Sequence, residues 1–130
     1  LHYSVPTVNY RRLWGTAGYR VELCIQNDVF FIYDGSGWIN TQVAVPTAGW
    51  QKVTFAYQDN PKLLTLRING ITVYSAARGR TFNNIWARIN DSYDHRRTNS
   101  YIGEVLVYGK YLSDNEEMYN YNSSKSQYGN

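Results

Sequence analysis

"WQKVTFAYQDNPKLLTLRINGITVYS", residues 50–75, decides the fold class of this chain. Val53, Phe55 and Tyr57 alternate with Lys52, Thr54 and Ala56, the period of two that a strand imposes on a half-buried surface. In the next run Leu64, Leu66 and Ile68 read as inward-facing, and Thr65 and Arg67 as outward-facing. "DNPK" loops between the two runs. Asn69-Gly70 tolerates the positive φ angles of a type I′ turn, so "ITVYS" folds straight back as a third strand.

The same grammar extends in both directions. "YRVELCIQ" (19–26) puts Val21, Leu23 and Ile25 on one face, and Asn27-Asp28 is a tight turn into "VFFIYD". "DGSG" (34–37) turns the chain into "WINTQVAV", before Pro46 and Gly49 break the pattern. "NIWARI" (84–89) is a further strand, followed by the polar loop "NDSYDHRRTNS". "YIGEVLVY" (101–108) is apolar on both faces, as a strand in the middle of a layered structure is. Ser113 with Glu116 three residues on has the form of a capping box, so a short helix begins there. Short strands separated by turn signals predict an all-β fold, an antiparallel β-sandwich or jelly roll with one short C-terminal helix packed against it.

Composition bounds what such a fold can be. The 130 residues suit a single domain, and 43% hydrophobic content argues against disorder. Aromatic content of 16%, with 13 Tyr and 4 Trp, is a surplus that strands or binding surfaces absorb. The net charge of +3 comes from scattered arginines. Arg11-Arg12, Arg78 with Arg80, and Arg96-Arg97 form no continuous basic stripe, so nucleic acid is not an expected partner. Cys24 is the only cysteine, which excludes an internal disulfide and a cysteine-ligated zinc site. No apolar run of about 18 residues and no signal sequence appear, so membrane insertion is not expected. The start at Leu1 rather than Met reads as a trimmed or processed product, or as a module cut from something longer.

Enzyme chemistry finds little to work with. A glucanase needs two carboxylates on one strand face, about 5 Å apart in a retaining enzyme. The ten acidic residues here are dispersed: Glu22 and Glu104 each stand alone on a predicted strand, while Asp28, Asp34 and Asp59 fall in turns. No catalytic residue is assigned. A lyase would need a Tyr or His base and an Arg for a uronate, types that Tyr93, His95, Arg96 and Arg97 supply, but a loop is a poor platform for catalysis. There is no Gly-x-Ser-x-Gly elbow and no phosphate-binding loop, and the isolated His2 and His95 make no zinc site.

The loop after "NIWARI" is the best candidate for binding. Asn90, Asp91, Tyr93, Asp94, His95, Arg96, Arg97 and Asn99 offer donors and acceptors for sugar hydroxyls, and Trp86 adds an aromatic platform. The competing reading is a solvated turn whose charges pair internally, with Trp86 in the core. No cofactor is expected; the alternative use of the loop is Ca²⁺ held by Asp91 and Asp94 with Asn90 or Asn99. Arg78 and Arg80 form either a contact to an acidic glycan or an exposed hairpin end.

Three groups of motifs carry a resemblance. "IGEVLVYGKYLSDNEEMYNYNSSKSQYG" resembles the closing signature of laminin-G-like, concanavalin A-like lectin/glucanase domains, with Gly103, Tyr108, Leu112, Ser113, Glu116, Tyr121, Lys125, Tyr128 and Gly129 in place. Trp50, Val53, Asn69 and Gly70 are similar to that family's central hairpin, and "RRLWGTAGYRVELCIQNDVFFIYDG" to its early one. The resemblance implies a jelly roll with one or two further N-terminal strands, one of which pairs with the closing strand. Another segment of a parent protein, or a neighbouring subunit, is therefore expected at an open sheet edge. That architecture carries lectins, hydrolases, lyases and adhesion modules alike, so the dispersed carboxylates and the polar loop decide the expectation: a non-catalytic carbohydrate-recognition or adhesion module, acidic polysaccharide included among its partners, outside the cell or on a cell or virion surface. The alternative is a structural module of a larger assembly, such as a virus or phage appendage or an adhesin. Aromatics clustered beside a polar pocket favour the first, and aromatics spread over a surface the second.

Overall fold

Turn chemistry sets the register of the consecutive hairpins within residues 22–44 and 53–76. The computed structural model describes residues 1–3, 11–16, 21–77, 87–89 and 100–129. In chain order these form β1 (His2–Tyr3), β2 (Arg11–Thr16), β3 (Glu22–Gln26), β4 (Val29–Tyr33), β5 (Trp38–Ala44), β6 (Val53–Asp59), β7 (Lys62–Ile68), β8 (Ile71–Ala76), β9 (Ala87–Ile89), β10 (Ser100–Tyr101), α1 (Asp114–Ser124) and a 3₁₀ turn over Lys125–Tyr128. Every strand pair is antiparallel. The described chain is thus mostly antiparallel β with one short C-terminal helix, and its residues divide into two compact units.

One unit, residues 11–16, 21–45 and 87–89, holds a five-stranded sheet in the order β5-β4-β3-β2-β9. Asn27 and Asp28 both adopt positive φ, 49° and 59°, as a type I′ turn requires, and so put Gln26 opposite Val29. The expected turn at Asn27-Asp28 is present. Val21, Leu23 and Ile25 are buried on one face with Phe30, Ile32 and Ile39, as their alternation predicts. β3 also buries Glu22 and Cys24 on its other face. The expected strand "NIWARI" is seen over Ala87–Ile89, and residues 84–86 lie outside the described residues.

The other unit, residues 1–3, 46–77 and 100–129, holds the sheet β6-β7-β8, the pair β1-β10 and the helix. Asn69 and Gly70 have φ of 53° and 81°, closing β7 onto β8 with Ile68 opposite Ile71. Gly70 is needed twice over, because a side chain there would also meet the backbone of Met118 at 3.1 Å. Ser113 caps α1 as its sequence predicts. Its hydroxyl accepts the Glu116 N–H at 3.2 Å, and Glu116 Oε2 accepts the Ser113 N–H at 2.8 Å.

Two expectations fail here. Thr65 and Arg67 do not face outward; each is only 1% exposed. The stretch from Tyr111 to Glu117 lies over that polar face and bonds Thr54, Thr65 and Arg67, so the polar face of β7 is covered. The second failure is the closing strand. Of the predicted strand 101–108 only Tyr101 pairs, opposite His2, and residues 102–108 join no strand. Val105, Leu106, Val107 and Tyr108 are exposed. A strand that is apolar on both faces needs a neighbour to bury it, and among the described residues it has none.

Candidate functional site

Every residue of the expected binding loop, namely Asn90, Asp91, Tyr93, Asp94, His95, Arg96, Arg97 and Asn99, lies outside the described residues. So does Trp86, and so do Arg78 and Arg80. Among the described residues no group of His, Cys, Asp and Glu could hold a metal ion. Of the two carboxylates that stand alone on predicted strands, Glu22 is buried and Glu104 is exposed on the unpaired stretch.

The five-stranded sheet presents a second arrangement suited to a ligand, one the sequence reading passed over. Asp34 Oδ1 accepts the backbone N–H groups of Ser36 and Gly37 at 2.9 and 3.0 Å and the Ser36 hydroxyl at 2.7 Å. This tight loop, with Gly35 at φ 85°, sets Tyr33 directly opposite Trp38. The two rings lie 5.1 Å apart, tilted by 53°, and Trp38 is 48% exposed. Asn40, two residues on and exposed, accepts the Gln42 N–H at 2.8 Å through Oδ1, which fixes its carbonyl and leaves the NH₂ as a donor. Thr41 points the other way and is buried, donating to the Phe30 carbonyl at 2.6 Å. An aromatic face beside an oriented amide can take the C–H side of a sugar ring and one of its hydroxyls. The signal was in "WINTQ": Trp38 shares the parity of Asn40 and Gln42, so a tryptophan sits where alternation calls for a polar residue.

The other unit sets charged groups between sheet and helix, with Arg67 and Glu117 buried and Asp114 exposed. Thr54, Arg67 and Thr72 stand in one row across β6, β7 and β8. Asp114 Oδ1 accepts from Arg67 Nη2 at 2.8 Å, from Arg67 Nε at 3.0 Å and from the Thr72 hydroxyl at 3.2 Å. Those bonds hold the Asp114 carboxyl below its ordinary range. Arg67 Nη2 also donates to the Leu112 carbonyl at 3.1 Å, and the guanidinium lies 5.1 Å from the centre of the Tyr111 ring. Beside it Glu117, fully buried, accepts from the Thr54 hydroxyl and lies 3.2 Å from Lys52 Nζ. Arg67 Nη1 and Glu117 Oε2 keep spare hydrogen-bonding capacity. The groups pair with one another across the interface between helix and sheet.

The chain matches no protein-family model, no curated protein and no solved structure. The resemblance to laminin-G-like domains accordingly rests on the motifs quoted above.

Proposed function

We propose that the chain is a non-catalytic carbohydrate-recognition module with a concanavalin A-like β-sandwich, displayed outside the cell or on a cell or virion surface. The observation that carries this reading is Trp38, half exposed beside Tyr33 and in line with the Asn40 amide. Loop residues 90–99 supply the second half of the proposal: Asp91 and Arg96 bond hydroxyl or acidic groups, and Tyr93 stacks. Trp86 is its aromatic platform, and Ca²⁺ on Asp91 and Asp94 is the alternative use of that loop. The sandwich part of the reading rests on the motif resemblance, and the antiparallel pairing within each sheet is consistent with it.

A glycan-array screen of the purified protein identifies the ligand, and alanine variants then test the contacts. Trp38→Ala, Tyr93→Ala, Asp91→Ala and Arg96→Ala should each weaken binding by about tenfold or more, since a charge-assisted hydrogen bond or a stacked ring contributes at least about 1.4 kcal/mol. Glu104→Gln should bind as the parent does, and a reducing-end assay should detect no hydrolysis in either protein. Unchanged binding in all four alanine variants contradicts the reading, and turnover abolished by Glu104→Gln would make the protein a glycosidase.

The second reading, a structural module of a virion, phage appendage or adhesin, is favoured by the exposed apolar run Val105–Leu106–Val107–Tyr108 and by Tyr119, which is also exposed. Absence of any glycan ligand, together with self-association that buries this run, selects it.

A further inference from the structure

β4 and β5 carry no charged residue, and β5 is the outermost described strand of its sheet. Tyr33 stands opposite Trp38 and Phe31 opposite Asn40. On the face turned away from buried Phe30, Ile32 and Ile39, these four side chains therefore occupy the corners of one grid. Cover falls away across that face. Glu22 and Cys24, the next positions of the same two rows on β3, are 1% and 0% exposed; Phe31 and Tyr33 are half-buried; Trp38 and Asn40 are exposed. A ligand that settles on the open side meets aromatic rings and a single amide.

The orientation of that amide is fixed by its neighbour. Gln42, held at φ 61°, has a backbone N–H that only donates, so the Asn40 atom meeting it at 2.8 Å is the carbonyl Oδ1. Asn40 Nδ2 makes no hydrogen bond among the described residues and is left as a donor. A sugar hydroxyl that accepts from Nδ2 still brings its own hydrogen to a surface of rings, where leaving a hydrogen bond unmade is costly. An acetamido carbonyl only accepts, and its N–H, trans to that oxygen, points away from Asn40. Its methyl needs apolar cover, which Phe31 offers from the position opposite Asn40. Trp38 and Tyr33, with ring centres 5.1 Å apart and tilted by 53°, make the adjoining corner for the C–H face of the pyranose. A carboxylate or sulfate would find no cation on either strand.

We propose that this grid is a subsite for a neutral N-acetylated sugar, with Asn40 Nδ2 donating to the acetamido carbonyl, Phe31 against the acetyl methyl and Trp38 under the ring. The inference rests on the reading of the chain as a carbohydrate-recognition module, and it names the class of sugar that this face selects. Trp38 supplies contact that any pyranose shares. Asn40 supplies the preference, because its donor distinguishes an acetamido group from the hydroxyl that replaces it.

The test measures, by calorimetry, binding of chitotriose against cellotriose, which has hydroxyls in place of the acetamido groups, and of N-acetylgalactosamine against galactose. In at least one pair the acetamido sugar should bind about tenfold or more tighter than its counterpart, and the Asn40 side-chain NH₂ resonances should shift as it does so. Asn40→Asp keeps the acceptor for the Gln42 N–H and removes the donor, so it should bring the two members of the pair to within about twofold of each other. Trp38→Ala should weaken both members alike. The proposal is overturned if the parent protein prefers no acetamido sugar, if Asn40→Asp keeps the preference, or if the Asn40 NH₂ resonances stay unmoved at saturation. Each of those results leaves the carbohydrate reading standing wherever other sugars bind. Absence of binding to these sugars and to every glycan on an array overturns both.

Discussion

Residues 102–108 and 113–124 are near neighbours in the chain, and both carry a strong structural signal, yet only the second takes the structure it signals. The helix begins where its sequence says because the signal is local. Ser113 and Glu116 satisfy each other's backbone N–H groups within one turn, whatever else surrounds them. The apolar run signals something that it cannot supply by itself. A strand's hydrogen bonds belong to its neighbours, so Val105 to Tyr108 record a need for partners without containing them.

The largest effect that sharpens this contrast should come from the covered sheet. Leu66→Ala removes a fully buried side chain from β7 and should cost about 2–5 kcal/mol in a denaturant melt. A loss below about 0.5 kcal/mol would mean that β7 is not packed as described. Glu117→Ala should follow, at about 3 kcal/mol, because it strips the buried Lys52 ammonium of its counter-charge. Glu117→Gln, which keeps the shape and the acceptor for Thr54, should cost less. Equal losses in the two variants would rule the charge out as the cause.

Ser113→Ala should cost about 0.5–2 kcal/mol through the lost cap. An unchanged melting temperature would move the helix start elsewhere. The same cap predicts a response to acid. The hydrogen bonds of Glu116 to Lys110 and to the backbone and side chain of Ser113 hold its carboxyl at about 2, against an ordinary value of 4.5. A carboxylate whose pKa falls on folding contributes stability that is present above about 4.5 and is lost as pH drops from there to about 2. Glu116→Gln should flatten that part of the stability profile, measured as melting temperature against pH. The contribution is small because the pair is exposed and screened, and 0.5 M salt should reduce it further. Val107→Ala should have the least effect, within about 0.5 kcal/mol, since it removes a side chain that touches little in residues 1–130.

What the sequence made legible follows the same division. The turns at Asn27-Asp28 and Asn69-Gly70, the hairpins they close and the cap at Ser113 all depend on residues a few positions apart, and all are present. Arg67 misled because alternation reports which residues share a face and not what lies over it. Its cover, Tyr111 to Asp114, is more than forty positions away in sequence. Trp38 escaped notice for the opposite reason. Its parity in "WINTQ" put it on the polar face, but a tryptophan at a strand start reads as core unless the phase of the alternation is counted. The loop from Asn90 to Asn99 was chosen on residue chemistry alone, and chemistry without geometry names candidates rather than contacts.

The most direct measurement is native-state amide hydrogen exchange, residue by residue, on residues 1–130. If local chemistry makes the helix and a missing neighbour unmakes the strand, amides 103–107 should exchange at close to the rate of an unstructured peptide. Those of β7 from Leu64 to Arg67, and those of α1 beyond its first turn, should be protected by the free energy of unfolding or a large part of it. Protection at 103–107 equal to that of β7 in a monomeric sample would contradict the account, because the run would then already have its partner.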